Sequence, residues 1–235
     1  STGNDIDFIT ITSTGNATDF GNMTISIFNG RALSNQTRGL HCGGHTPTGQ
    51  NTIGFVTIAS TGDAVDFGDI SYGAPWGLSV CASPTRGFMY GGQQSPAETN
   101  HIEYVTIATT GNTQEFGDLT HAESNGVGCN NSTRGVNMGG ASGTNDSVID
   151  YFNLASAGNA VNFGDLTDGR YVVASMASSI RGLCAGGRDD TPSNNTQSDI
   201  IDYITFATQG DAVDFGNMLA GAKAPAGLSN AHGGL

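Results

Sequence analysis

Apolar and polar positions alternate along this chain in short bursts, and the three-and-four spacing of an amphipathic helix is missing. The segment "IEYVTIA" at 102–108 is typical, with β-branched and aromatic residues on a two-residue period that predicts a strand. Five such segments carry an aromatic, at Phe8, Phe55, Tyr104, Tyr151 and Tyr203. Each runs into a Gly-Asn or Gly-Asp pair, at 15–16, 62–63, 111–112, 158–159 and 210–211, whose tolerance of positive φ predicts a tight hairpin. A short return strand follows ("EFGDL" at 115–119 and its equivalents), with a second aromatic at Phe20, Phe67, Phe116, Phe163 and Phe215. Then come a looser segment such as "GLSVCAS" (77–83), a turn at Arg-Gly, and a strand closed by Gly-Gly. That last motif reads "TRGLHCGG" at 37–44, "TRGFMYGG" at 85–92, "TRGVNMGG" at 133–140 and "IRGLCAGG" at 180–187.

These landmarks recur in constant order at spacings of 47, 49, 47 and 52 residues, so the chain is a tandem array of four-stranded units. Gly-Gly ending a strand, an aromatic about a dozen residues on, a second aromatic after the hairpin and a basic residue opening the next strand together resemble the kelch repeat. The wording "DFGDLT" after "TGN" or "TGD" also resembles repeats in structural proteins of marine and freshwater phages. Two departures stand out: Phe occupies the place of the usual Trp after the hairpin, and the basic residue occurs only as Arg31, Arg170 and Lys223. The resemblance implies an all-β fold, a single five-bladed β-propeller over 1–235. Its blades would fall at about 23–69, 70–118, 119–165, 166–217, and 218–235 joined to 1–22, with the strand after "DFGDLT" innermost. The last repeat is cut short. "SNAHGGL" (229–235) aligns with "SNQTRGL" (34–40), so the closing blade is expected either to have a weak second strand or to be completed by another chain.

Composition narrows the functional classes. Thirty-six glycines and 12% charged residues suit a turn-rich β protein. A formal charge of −13 against eight Lys plus Arg opposes binding to nucleic-acid phosphates and to anionic membrane surfaces. No apolar run approaches the roughly 20 residues that span a bilayer, so membrane insertion is not expected. The four cysteines, Cys42, Cys81, Cys129 and Cys184, have no C-x-x-C spacing and sit in predicted strands, which favours buried thiols over a disulfide. Seven N-x-S/T sequons begin at Asn16, Asn22, Asn35, Asn130, Asn131, Asn145 and Asn194, as a chain rich in Asn, Ser and Thr produces by chance.

Catalytic chemistry is poorly supplied. The carboxylates of "TGDAVDFGD" (63–69) fall on every third residue, which does not aim them at one cation, and no calcium loop is present. The five histidines lack metal-ligand spacing, so neither a metal nor any other cofactor is expected, and the chain reads as no enzyme. Arg38, Arg86, Arg134 and Arg181 recur in register, which favours local pairing within a scaffold over an anion site.

Function in a repeat protein lies where the copies differ. The variable stretches are 45–52, 93–101, 141–148 and 188–199, together with the segments leading into the innermost strands. The candidate ligand-binding residues are accordingly Tyr72, Trp76, His121, Arg170, Tyr171, Asp189 and Asp190, with Phe28, Arg31 and Glu123 nearby. Trp76, the sole tryptophan, is read either as a sugar platform or as packing between blades. The expected role is a binding or building module on a virion surface or outside a cell. Its partner is a surface glycan or receptor or, alternatively, copies of itself in a tail or extracellular fibre.

Overall fold

The computed structural model describes residues 3–143, 145–191 and 194–229, apart from the side chains of 145, 190, 191, 194 and 195. The fold is all-β and antiparallel. A two-stranded ribbon, β1 (Asp5–Phe8) and β2 (Thr18–Asn22), comes first. Four sheets follow. The first holds β3 (Arg31–Ser34), β4 (Arg38–Cys42), β5 (Thr52–Thr57) and β6 (Val65–Asp69) in chain order. The second holds β7 (Ser79–Ala82), β8 (Arg86–Tyr90), β10 (Ala97–Thr106) and β11 (Gln114–Glu123), with β9 (Gln93–Gln94) hairpinned onto β10. The third runs β12 (Val127–Asn130), β13 (Arg134–Ala141), β14 (Asn145–Asn153) and β15 (Val161–Asp165). The fourth runs β16 (Ala174–Ala177), β17 (Arg181–Ala185), β20 (Ile200–Thr205) and β21 (Val213–Asn217), and β18 (Arg188–Thr191) and β19 (Asn194–Gln197) form a separate hairpin. The strand order within each sheet is the one expected from the repeat. Residues 230–235, including the shortened "AHGGL" and His232, lie outside the described residues.

Both faces of the second and third sheets are buried, because each of them is sandwiched between its neighbours in the series. In β8 the period-2 alternation separates Phe88 and Tyr90, in the core shared with the third sheet, from Met89, in the core shared with the first. Phe88 stacks edge-on to Phe116 at 5.1 Å and tilts against Phe152 at 5.4 Å. Val136, Met138, Ile149 and Phe163 of the third sheet meet Cys184, Ile204 and Phe206 of the fourth. All four cysteines are free and buried in these cores. Burial pushes the thiols of Cys42 and Cys81 up to about 12, the range of unreactive apolar groups. The recurrent arginines are scaffold: Arg38, Arg86, Arg134 and Arg181 lie over Phe55, Tyr104, Tyr151 and Tyr203 at 4.4–4.7 Å. Arg38 also donates to the carbonyl of Ile107 at 2.8 Å, Arg86 to that of Leu154 at 3.2 Å, and Arg134 to that of Phe206, each in the following sheet.

The Gly-Asn and Gly-Asp pairs are not hairpin turns. The chain turns earlier, as in Ser60 N–H to Thr57 and Thr109 N–H to Thr106, both at 3.1 Å, and the pair then reaches across to the preceding unit. Gly62, Gly111, Gly158 and Gly210 donate to the carbonyls of Phe20, Phe67, Phe116 and Phe163 at 2.7–2.8 Å. The next side chain completes each clasp: Asp63, Asn112, Asn159 and Asp211 accept from the amides of Asn22, Asp69, Asp118 and Asp165 at 2.9–3.2 Å. In the four clasps that form, the glycine after the second aromatic is needed for this contact, since a β-carbon on Gly68 or Gly117 would collide with the Gly111 or Gly158 backbone. The fifth pair does not meet. Gly216 has no neighbour within 4 Å of its β position, where Gly21, Gly68, Gly117 and Gly164 do, and Phe215 is 55% exposed where Phe67, Phe116 and Phe163 are 2–3% exposed.

Candidate functional site

The segments leading into the first strands of the units converge. Asn29, Gly77, Asn125, Val172 and Ala224 share a left-handed backbone, with φ between 49° and 63°. Gly77, Asn125, Val172 and Ala224 each donate an amide to the carbonyl of the preceding residue in that series, at 2.6–3.3 Å. Beyond them, the first strands of the four sheets and residues 227–229 line one cavity of about 260 Å³. Asn29 Nδ2 donates to Asn125 Oδ1 at 3.3 Å across its mouth, and Arg31 donates to Asn29 Oδ1 at 3.2 Å.

Trp76 lies outside this mouth. It is half-buried and joined to β9 by reciprocal backbone hydrogen bonds with Gln93, at 3.1 and 2.9 Å. Its ring meets His45 of the preceding unit edge-on at 5.9 Å, and His45 in turn stacks on Phe28 at 4.9 Å. Phe28 is 52% exposed. His45 is fixed from behind by hydrogen bonds of its N–H and C=O with Phe28, at 3.0 and 3.2 Å. The result is a chain of three rings, inclined to one another by 56° and 76°, that crosses the boundary between two units and ends in the exposed Phe28. Phe28 and Trp76 were legible as variable aromatics, but His45 was not, because nothing in sequence places a loop residue between them.

The other predicted site residues do not gather around this strip. Tyr72 is turned inward: its hydroxyl donates to the carbonyl of Gly91 at 2.9 Å and its ring lies 5.2 Å from His101. Burial raises its ionisation well above the usual tyrosine range. Arg170, expected at the surface, is fully buried; its Nη2 donates to Asp202 at 2.9 Å with both side chains shut off from solvent. Its Nε and Nη1 have no hydrogen-bond partner among the described residues, and its burial takes it out of reach of a ligand at the surface. His121 pairs with Asp146 through Nε2 at 2.5 Å, and that hydrogen bond raises its ionisation above the ordinary histidine value. Tyr171 bridges Arg188 through the backbone, with the guanidinium 5.9 Å from its ring. Asp189 and Asp190 sit on the β18–β19 hairpin opposite Thr196 and Asn195, and the Asp190 side chain is outside the described residues.

Three acids escape a sequence reading, and a fourth, Glu123, is visible there only as a neighbour of the candidate residues. Glu103, Asp150 and Asp202, inside the third strands, are buried and accept from the amides of Ser71, Thr120 and Thr167 at 2.8–3.3 Å. An acid inside an apolar strand ("IEY", "IDY") was the available signal. Glu123 is fully buried; its Oε2 accepts from Gly126 at 3.2 Å while its Oε1 has no partner among the described residues. Burial pushes its carboxyl up to about 8. Among the described residues no group of three or more His, Cys, Asp or Glu side chains is placed to hold a metal. Comparison with known proteins finds no family model that matches the chain and no curated protein similar to it.

Proposed function

We propose that the chain is a five-bladed, kelch-like β-propeller acting as a non-catalytic recognition module on a virion or cell surface, and that it holds a saccharide against Phe28, His45 and Trp76. Supporting the propeller reading are four sheets of one strand order stacked in series, and five equivalent segments around one cavity. The observation that carries the function is the three-ring strip at the boundary of two units, ending in the exposed Phe28 and flanked by the polar loop 45–52. A pyranose presents an apolar face and a rim of hydroxyls, which such a strip with polar neighbours complements. Because Trp76 is the sole tryptophan, its fluorescence reports this place alone. Titrating a panel of bacterial surface polysaccharides should shift and saturate that emission for at least one member. A Phe28→Ala or His45→Ala chain should lose the response, and silence across the whole panel would remove the reading.

A second reading, a structural subunit of a tail or extracellular fibre, is favoured by a specific observation. Strand β1 pairs with β2 alone among the described residues, which leaves a sheet edge open for another chain.

A further inference from the structure

In each four-stranded sheet the third strand (β5, β10, β14 or β20) pairs on its inner side with an Arg-Gly strand (β4, β8, β13 or β17). Strand β1 is the fifth copy of that third strand, and its inner side faces a groove of about 510 Å³. Ile6 and Met23 line one wall and Leu40 and Val56 of the first sheet the other, with Asp5 and Asp7 on the β1 side.

The groove lacks one particular side chain. Every other third-strand aromatic is capped by a guanidinium. Phe8 has none over it among the described residues and is 40% exposed. Across the same interface, Ile107, Leu154 and Phe206 are at most 5% exposed and their carbonyls accept from Arg38, Arg86 and Arg134. The equivalent Ile58 is 47% exposed, and no arginine reaches its carbonyl among the described residues. Both halves of an arginine socket, a ring face and a carbonyl, are therefore exposed one and two residues beyond the groove-lining Asp7 and Val56. The four Arg-Gly strands of the chain are already seated in their own sheets, and the fifth copy of that sequence reads His232-Gly233-Gly234-Leu235, with glycine where the arginine belongs.

We infer that this groove accepts one β-strand of Arg-Gly-apolar-x-apolar sequence from another polypeptide, which pairs with β1 and seats its arginine between Phe8 and the Ile58 carbonyl. The inference rests on the assembly reading and names the chemistry of the contact. Main-chain hydrogen bonds along β1 supply affinity, the alternate side chains supply specificity, and Asp5 and Asp7 favour a cationic strand. The probe is a synthetic nonapeptide of the sequence Ser132–Gly140, STRGVNMGG, titrated calorimetrically into the full chain. Saturable one-to-one binding is expected, weakened roughly tenfold when the peptide arginine becomes alanine, as for a desolvated cation–π contact with a charge-assisted hydrogen bond. Phe8→Ala should weaken the parent peptide to a similar degree and leave little further loss for the alanine peptide, while Phe8→Tyr should retain binding. No binding to the Phe8→Tyr and parent chains, or equal binding of both peptides, overturns the inference. So does binding that emerges only in a His232→Pro, Gly234→Pro chain, which would mean that the chain's own last residues fill the groove. Light scattering separates the two layers: self-association that the peptide leaves untouched keeps the assembly reading and removes the strand acceptor, whereas a strict monomer that binds the peptide keeps the acceptor and removes assembly from identical copies.

Discussion

The amide of Gly111 donates to the carbonyl of Phe67 at 2.7 Å, joining the most repeated words of the sequence across the boundary between two sheets. Asn112 secures the same contact by accepting from Asp69 at 3.0 Å. Loss of that acceptor strands the Asp69 amide, so Asn112→Ala should lower unfolding free energy by about 1 kcal/mol. Asn16 holds the corresponding position in the clasp that does not form. Asn16→Ala should therefore be neutral by urea denaturation, and equal losses at the two positions would mean that the fifth clasp closes in solution.

Gly117 tests the close approach itself. Its φ is not in the left-handed region, so a substitution there reports space and not backbone strain. A β-carbon would strike the carbonyl of Gly158, and Gly117→Ala should cost about 1–3 kcal/mol as overpacking between sheets. Gly15→Ala, which meets nothing within 4 Å, should leave the midpoint unchanged. A Gly117→Ala protein as stable as the parent would contradict the clasp geometry.

How much of this was legible in sequence follows from what period and turn chemistry encode. The alternation in "IEYVTIA" and the order of landmarks gave the strands and their order in each sheet, because side-chain period 2 and short connections constrain both. The Gly-Asn pair was misread as a hairpin turn: tolerance of positive φ is a local property, while the contact that uses it lies some 40 residues away. Arg170 was misplaced for a related reason. Its partner Asp202 sits 32 residues on, and pairing with a buried acid is what lets a guanidinium enter the core. Trp76 and Phe28 were visible as variable aromatics, but the strip they form needed His45 to bridge two units.

The Arg170–Asp202 pair gives a second kind of stability test. With both side chains fully buried, removing one leaves a charge without its partner. Asp202→Asn should cost about 3–5 kcal/mol, and joint replacement by Arg170→Met and Asp202→Leu should cost less than that single change. Chemical denaturation of Asp202→Asn, Arg170→Met, Asp202→Leu and the double variant decides it, and strictly additive losses in the double would count against coupling.

The four thiols should be silent toward a disulfide reagent such as Ellman's at pH 8 in the native protein and react fully in 6 M guanidinium, since all are buried and free. Cys184 lies in β17 of the fourth sheet, so it should be the first to react if that sheet opens locally. Rapid labelling of any one thiol in the native state would contradict its buried position.

Glu123 gives stability a pH dependence of definite sign. Burial lifts its carboxyl from the ordinary 4.5 to about 8 in the folded chain, so between those values the native state carries a proton that the unfolded state has released. Stability from this group is present below pH 4.5 and declines as pH rises toward 8, by an amount on the order of 5 kcal/mol across the window. His121 acts in the same direction: its hydrogen bond to Asp146 raises its ionisation, and that contribution fades as pH climbs above the ordinary histidine value of 6.5. The two separate by substitution. Glu123→Gln keeps a buried amide in place of the protonated acid and should flatten the decline between pH 5 and 6.5, where the histidine is charged in both states. At pH 8.5 the Gln chain should be the more stable of the two, since it no longer forces a carboxylate to ionise where water is shut out. Urea midpoints measured from pH 5 to 9 at fixed ionic strength read this directly, and parallel curves for the parent and Glu123→Gln would show that the carboxyl is not shut off from water as its position between the second and third sheets requires.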